Sequence, residues 1–320
     1  MKNPSDMLVA VFGGSGFLGR HVVRALANRG YRIRVAVRRP ELSGFLQPLG
    51  RVGQIQAVQA NVRVGPSVES AARDADVVIN LVGILFERGR QRFDAVQALG
   101  AENVARAAAA GARLVHISAI GADENSPSDY ARSKADGERR VLAANPQAII
   151  MRPSIIFGPE DEFFNRFAAL ARLLPALPLP GGGQTRFQPV FAGDVAEAIA
   201  LAADGKAKTN TIYELGGPEI KSFKELMEFM LATVERRRLL VPVPFALMKL
   251  QAMVLQFLPN PALTPDQVEL FKTDNVVSAA AHEQGRTIEA LGIVPNPVAA
   301  VVPDYLWRFR KTGQFSGRTA

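Results

Sequence analysis

Over roughly the first half of the chain, two hydrophobic layouts take turns. Short unbroken apolar runs such as "LVAVF" (Leu8 to Phe12) are each followed by stretches with apolar positions three and four residues apart. The first layout reads as strands buried on both faces, the second as helices with one buried stripe. The runs "RIRVAVRR", "IQAVQANV" (Ile55 to Val62), "DVVINLVGI", "RLVHISAIGA" and "AIIMRPSII" continue the strand series. Between them lie the helical patterns "RHVVRALANRG", with Gly30 at its end as a C-cap, "VESAARDA" and "DAVQALGAENVARAAAAGA". A further helix carries Tyr130 and Lys134. Strand–helix alternation with continuous apolar strands predicts an α/β fold with a doubly wound parallel sheet.

After about Ile156 the alternation stops. "LLPALPLPGGGQ" (Leu173 to Gln184) is too rich in proline and glycine for a regular element and reads as a loop. "FAGDVAEAIALAAD" is a helix, and "TIYELGGPEIKSFKELMEFMLATV" a strand, a turn and a helix. The pattern divides the chain into residues 1–157, with 187–204 returning to that body, and a smaller irregular α/β lobe over 158–320.

Composition narrows the chemistry. Without cysteine there are no disulfides, thiolate metal sites or thiol nucleophiles. Three widely spaced histidines (His21, His116, His282) argue against a His-based metal centre, so no metal is expected. A net charge of +8 admits anionic partners, but no nucleic-acid-binding motif accompanies it, and no nucleic acid is expected. The N-terminal apolar run enters a glycine loop, not a cleavage site, and no apolar stretch is long enough to span a bilayer. A cytoplasmic protein, or one peripheral on the cytoplasmic side of the inner membrane, is the expectation.

"VFGGSGFLG" places Gly13, Gly16 and Gly19, and also Gly14, between a strand and a helix. Glycines there allow a tight turn, a close backbone approach to a pyrophosphate, and tight strand–helix packing. In that setting the fold is Rossmann-type and the ligand a dinucleotide. The second strand ends "VAVRRPE", with Arg38 and Arg39 where an NAD-preferring site has an acid. Guanidinium groups pair with a 2′-phosphate, so NADP(H) is favoured over NAD(H).

Tyr130 and Lys134, four apart, share one helix face. A neighbouring ammonium favours the phenolate, which suits acid/base work. The residues leave two readings open: a catalytic pair, or a pair that only holds the cofactor.

Glycine loop, "NLVG" (Asn80 to Gly83) and Tyr130-x-x-x-Lys134 together resemble the extended and atypical short-chain dehydrogenase/reductases. "YARSKADGERRVLAANPQAIIMRPSIIFGPEDEFFNRFA" and "RFQPVFAGDVAEAI" are similar to the nucleotide-binding accessory subunits of respiratory complex I (NADH:ubiquinone oxidoreductase). The resemblance implies a tightly held NADPH, a peripheral position at the membrane arm and no established turnover. It implies that Gly13, Ser15, Gly16, Phe17, Leu18 and Gly19 hold the pyrophosphate, and Arg38 and Arg39 the 2′-phosphate. Asn61 and Val62 would flank adenine, and Leu81, Val82 and Gly83 the adenosine ribose. Tyr130 and Lys134 would be the catalytic pair, with Lys134 also on the nicotinamide ribose, and Pro153, Ser154, Ile155 and Ile156 would lie next to the nicotinamide. Ser118 is the candidate catalytic hydroxyl. Ala119 and Ile120 follow it where active extended members carry a second one. An active NADP-dependent reductase, epimerase or dehydratase is the alternative function.

Partners are expected to be other complex I subunits and the membrane surface. Two segments are candidates for that contact: 236–258, with "ERRRLL" and "FALMKLQAMVLQFLP", and 305–311, where Tyr305, Trp307 and Phe309 interleave with basic residues.

Overall fold

The computed structural model describes residues 3–108, 111–257, 261 and 263–311. They group into two compact units. One comprises Met1–Pro153, Gly193–Leu215 and Ala279–Ile293, the other Ser154–Ala192, Gly216–Ser278 and Val294–Ala320. The first unit therefore takes in Ala279–Ile293, which the pattern had left in the smaller lobe; Glu214 of its edge strand bonds through its N–H to the Arg286 carbonyl.

Among the described residues, seven parallel strands build the first unit. They are β1 (Leu8–Phe12), β2 (Arg32–Val37), β3 (Ile55–Gln59), β4 (Val77–Asn80), β5 (Arg113–Ile117), β6 (Ile149–Pro153) and an edge strand Thr211–Leu215. Their order across the sheet is edge strand, β6, β5, β4, β1, β2, β3. Val9 faces Ile33 on one side and Val77 on the other, so β1 lies inside the sheet, with β4 between it and β5. Residues Val9 to Phe12 are almost wholly buried, which is why this run is apolar at every position. Strand order reverses between β1 and β4, and in such sheets the crevice at that reversal takes the ligand.

Helix α1 (Phe17–Asn28) buries Val22, Val23 and Leu26, spaced to form one stripe. Each such side chain contributes about 1.5–3 kcal/mol of burial. Gly30, at φ 88, carries the chain out of the helix into β2. Helix α2 (Gly65–Ala72) follows β3. The helical pattern after β4 is not continuous: Asp94–Ala98 forms a π-helical turn before α3 (Leu99–Ala108). Helix α4 (Asp129–Ala144) starts where the Ser128 side chain accepts from the Ala131 N–H at 3.2 Å. Its buried face includes Lys134 and Glu138 beside Ala131, Ala135 and Val141. Two charges on a core face signal a site rather than simple packing.

The sixth apolar run divides. β6 ends at Pro153, and Ile156–Phe157 pairs separately with Val190–Phe191 inside the second unit. The proline-rich run read as a loop contains a strand, Ala176–Pro180, paired in parallel with Leu239–Val243. Pro178 and Pro180 stand two apart, so both missing N–H groups fall on the same side of the strand, and a two-stranded sheet leaves one side free. Leu177 and Leu179 alternate with them into the core.

The core of the second unit is rich in phenylalanine. Phe157, Phe164 and Phe223 are fully buried, with Met227, Met230 and Leu306 around them. The rings meet edge to face, for example Phe223 with Phe271 at 5.2 Å and 79°. Its helix Phe223–Thr233 opens on a capping box formed by Ser222 and Glu225.

Of the 305–311 aromatics expected at a partner contact, Tyr305 and Phe309 are not available for one, while Trp307 is half-buried. Tyr305, Leu306 and Phe309 are buried in this core, and the Tyr305 hydroxyl donates to buried Asp161 at 2.5 Å. Arg308 reaches Asn165, and Arg310 reaches the Thr233 carbonyl. Every-other-residue spacing would put the three rings on one face of an extended segment; a short helical turn, Trp307–Phe309, instead sends Phe309 inward. By contrast, helix Phe245–Leu255 buries only Met248 and Ala252. Leu247, Leu250, Met253, Val254 and, just beyond it, Phe257 are exposed, five large apolar side chains on its outer half. No helix of the described residues is long and apolar enough to cross a membrane.

Candidate nucleotide site

The site is built at the C-terminal ends of β1, β4 and β5. The glycine loop is shaped by contacts that exclude side chains. A Cβ on Gly19 would lie 2.4 Å from the Gly13 carbonyl oxygen and 2.6 Å from Gly14 backbone atoms. Helix α1 therefore packs directly on the loop, as the close helix–strand packing of a dinucleotide turn demands. Gly13 holds φ 82, and a Cβ there would meet Val82 Cγ2 at 3.2 Å and the Leu81 carbonyl carbon at 3.3 Å. The loop and the Leu81–Gly83 turn thus face each other. Gly16 caps α1 without a side-chain bond, and no acid lies in the first turn. That leaves the positive end of the helix dipole for an anion. Ser15, Phe17 and Leu18 sit on this loop and first turn, each partly exposed.

The turn after β4 is fixed by a buried polar pair. The Val82 N–H donates to Asn80 Oδ1 at 3.1 Å, which leaves the Asn80 Nδ2 as donor to His116 Nδ1 at 3.2 Å. His116 is thereby an acceptor at Nδ1. Burial first, then the Lys134 charge, hold its pKa down at about 3, so it stays neutral in this role. Sequence reading gave neither residue this task, because a lone histidine in an apolar strand looks like core.

Lys134 is 6% exposed and its Nζ donates to the Ile117 carbonyl at 3.3 Å. It lies 5.9 Å from the Tyr130 ring centroid, and Tyr130 meets Phe93 edge-on at 5.9 Å. Ser118, the residue after Ile117, is 3% exposed, and its Oγ has no hydrogen-bond partner. A buried hydroxyl left unpaired is costly, which marks it as aimed at a ligand group. Glu138, one turn past Lys134, takes both Nε and Nη2 of Arg152 on β6, at 2.8 and 2.6 Å, and this pins α4 to the sheet.

The other expected residues divide. Arg38 and Arg39 are exposed just after β2, with no ion pair to either guanidinium among the described residues. Asn61 uses its side-chain oxygen within its own turn, accepting from the Arg63 N–H at 3.2 Å. Val62 is buried against Gly100 of α3, where a Cβ would come within 2.9 Å of it. Pro153 closes β6, and its carbonyl accepts from the Ile120 N–H at 3.0 Å. Ser154, Ile155 and Ile156 belong to the second unit, where the Ser154 hydroxyl and the Ile155 N–H both bond to Asn275. Among the described residues, no group of three or more His, Cys, Asp or Glu side chains is placed to hold a metal ion.

Burial pulls the Lys134 amine down from 10.5 to about 8, while Glu138 pulls it up. Between those values the unfolded chain binds the proton and the folded one does not. Stability of the nucleotide-free protein therefore rises with pH across this window and is insensitive to Lys134 below it. The full gain is on the order of 3 kcal/mol. Urea titrations at pH 7.5, 8.5 and 9.5 check it; Lys134→Met should remove this rise, and an unchanged slope in that variant would refute it.

A crossing-point crevice, a side-chain-free glycine loop and a buried Tyr-x-x-x-Lys lysine define a nicotinamide-nucleotide-binding protein of the short-chain dehydrogenase/reductase type. The chain belongs to the NAD dependent epimerase/dehydratase family, whose profile matches residues 9–216. It is 34% identical over 330 residues to "NADH dehydrogenase (ubiquinone) 1 alpha subcomplex subunit 9, mitochondrial" of Arabidopsis thaliana, covering 98% of this chain and 81% of that protein. It is 40% identical over 180 residues, 56% of each chain, to a ceramide reductase of Caulobacter vibrioides. In fold it resembles a dTDP-glucose 4,6-dehydratase of Streptomyces venezuelae solved with NAD bound, at a TM-score of 0.69 and 19% identity, covering 95% of this chain and 96% of that one.

Proposed function

We propose that this protein is an NADP(H)-holding accessory subunit of respiratory complex I, in which the nucleotide is structural. The observation that carries this reading is the likeness to a complex I subunit along 98% of the chain. The site supports it. Ser118 is the single hydroxyl among the three residues that follow β5, since Ala119 and Ile120 come next, and Ile120 is itself buried. Arg38 and Arg39 supply two guanidinium groups for a 2′-phosphate, with no carboxylate at the end of β2 before Glu41. Bound nucleotide would complete the glycine loop, give the Ser118 hydroxyl a partner and so stabilise the first unit by linkage.

The partners in this reading are other complex I subunits, at the cytoplasmic side of the inner membrane. The exposed stripe Leu247, Leu250, Val254 and Phe257 is the surface best suited to that contact. Affinity purification of the native protein, followed by mass spectrometry of bound nucleotide and co-eluting chains, tests both parts. NADP(H) together with respiratory subunits is expected. A lone soluble chain would overturn the assembly, and bound NAD(H) would overturn the cofactor preference.

The second reading, an active NADP-dependent reductase, epimerase or dehydratase, draws on the Caulobacter vibrioides likeness and on Tyr130 and Lys134 being in place. Tyr130→Phe separates the two. For a structural cofactor the variant keeps its nucleotide and supports normal complex I assembly, measured on native gels. Loss of a cellular function with nucleotide and assembly intact would favour turnover.

A further inference from the structure

Two turns distant in sequence meet on the surface of the first unit. Arg63, in the turn between β3 and α2, donates from Nη1 to the Arg90 carbonyl at 2.8 Å. The Asn103 amide of α3 donates to the Val62 carbonyl at 2.8 Å, and a Cβ on Gly100 would come within 2.9 Å of Val62. The β3 turn is thereby held between α3 and the segment that follows β4. That segment is a small hairpin. Arg88 and Gln91 exchange both backbone N–H···O bonds at 2.9 Å, around Gly89 at φ 56. Glu87 Oε1 accepts from the Phe93 N–H at 2.7 Å and closes its base. Phe93 is buried edge-on to Tyr130, so the base is anchored in the fold.

The hairpin carries charge of one sign. From Gly83 to Phe93 the chain has three arginines, Arg88, Arg90 and Arg92, and one acid, Glu87. All three arginines are exposed, and Arg63 adds a fourth guanidinium beside them. The nearby carboxylates are engaged elsewhere or weakly placed. Glu87 comes no nearer than 3.9 Å to Arg92 Nη2, Asp94 accepts from the Ala95 N–H, and Glu102 pairs with Arg106 and Arg140. Like charges held this close repel one another, and an anionic partner removes that cost. Val64, in the β3 turn, and Leu99, beside Gly100, are 46% and 47% exposed, so apolar surface adjoins the basic hairpin. About half of each side chain lies against the protein, so neither stands out as a membrane anchor must. An apolar centre with arginines around it is the layout of a polypeptide interface, and the arginine fork matches a carboxylate with two parallel bonds.

We propose that this arginine hairpin, with Val64 and Leu99, docks an acidic polypeptide segment that carries aliphatic side chains among its carboxylates. The surface belongs to the first unit, whereas the exposed stripe of helix Phe245–Leu255 belongs to the second. The proposal deepens the accessory-subunit reading and rests on it for the source of the segment, another chain of the assembly.

The test uses the full chain as purified and two labelled peptides of equal length, one of mixed glutamate and leucine, the other all glutamate, followed by fluorescence anisotropy. The mixed peptide should bind about tenfold more tightly, through Val64 and Leu99. Replacing Arg88, Arg90 and Arg92 together by glutamine should weaken it about tenfold, each arginine contributing a few-fold, with melting point and bound nucleotide unchanged. Arg63 is left in place because it holds the Arg90 carbonyl. Val64→Ser with Leu99→Ser should erase the preference for the mixed peptide. In the native host, the triple glutamine variant should recover about tenfold fewer respiratory subunits on affinity purification, and a high-salt wash of the unaltered protein should reproduce that loss. Unchanged peptide binding in the folded triple variant, or equal affinity for the two peptides, overturns the proposal. So does arginine-dependent binding to phosphatidylglycerol vesicles that exceeds binding to the mixed peptide, which would assign the hairpin to lipid. If the unaltered chain recovers no respiratory subunits while the peptide results hold, the assembly reading fails and the docking surface stands.

Discussion

Gly19→Ala is expected to abolish nucleotide retention and to cost about 3 kcal/mol of stability or more. The added methyl would lie 2.4 Å from one backbone oxygen and 2.6 Å from two backbone carbons. None of these is the end of a flexible side chain. Relief requires α1 to move off the loop, which opens the pyrophosphate cradle and unpacks Val22, Val23 and Leu26 together. Gly30→Ala is the matched control. It meets nothing within 4 Å and suffers only its positive φ, a penalty of about 1–2 kcal/mol. Melting curves and bound-nucleotide absorbance compare them. Equal melting points, with nucleotide kept in both, would remove the packing argument.

Gly137→Ala comes second, and its effect separates from the first. The methyl would lie 2.3 Å from the Gln97 carbonyl oxygen, so α4 must retreat from the π-helical turn. That retreat carries Lys134 and Tyr130 with it. We expect about 2–3 kcal/mol of destabilisation. NADPH should weaken by tenfold or more, while 2′,5′-ADP, the adenosine half without the second ribose, should bind within about twofold of the unaltered protein. A variant that binds both ligands normally would show that the register of α4 against the π-helical turn does not set the cofactor site.

Much of this site was legible beforehand, because its chemistry is local in the chain. Gly13 to Gly19 lie within one strand–turn–helix. Tyr130 and Lys134 lie within one turn of one helix. Gln97 was not legible. A π-helical turn has no hydrophobic period of its own, and "DAVQALG" fits an α-helix as well as it fits what forms. Its placement depends on Gly137 and Ser133, nearly forty residues later, which pack against it from α4. The Asn80–His116 pair escaped for the same reason, since two strands had to be set side by side before the bond could be seen. The basic and aromatic C-terminal segment misled in the opposite direction. Alternation alone does not say which face is inward until Asp161 claims the Tyr305 hydroxyl.

From the sequence by itself came the parallel α/β architecture, the dinucleotide turn and the residues that end β2 in arginine. All three follow from short-range periodicity and from what glycine and arginine can do wherever they stand. The tertiary structure decided which polar groups are left without partners and which spaces are left without side chains. The buried, unpartnered Ser118 Oγ and Gln97 Oε1, and the crowded approach to Gly19 and Gly137, are defined only by distant neighbours. An unmet hydrogen bond is a property of a packed environment, and no single stretch of chain carries it.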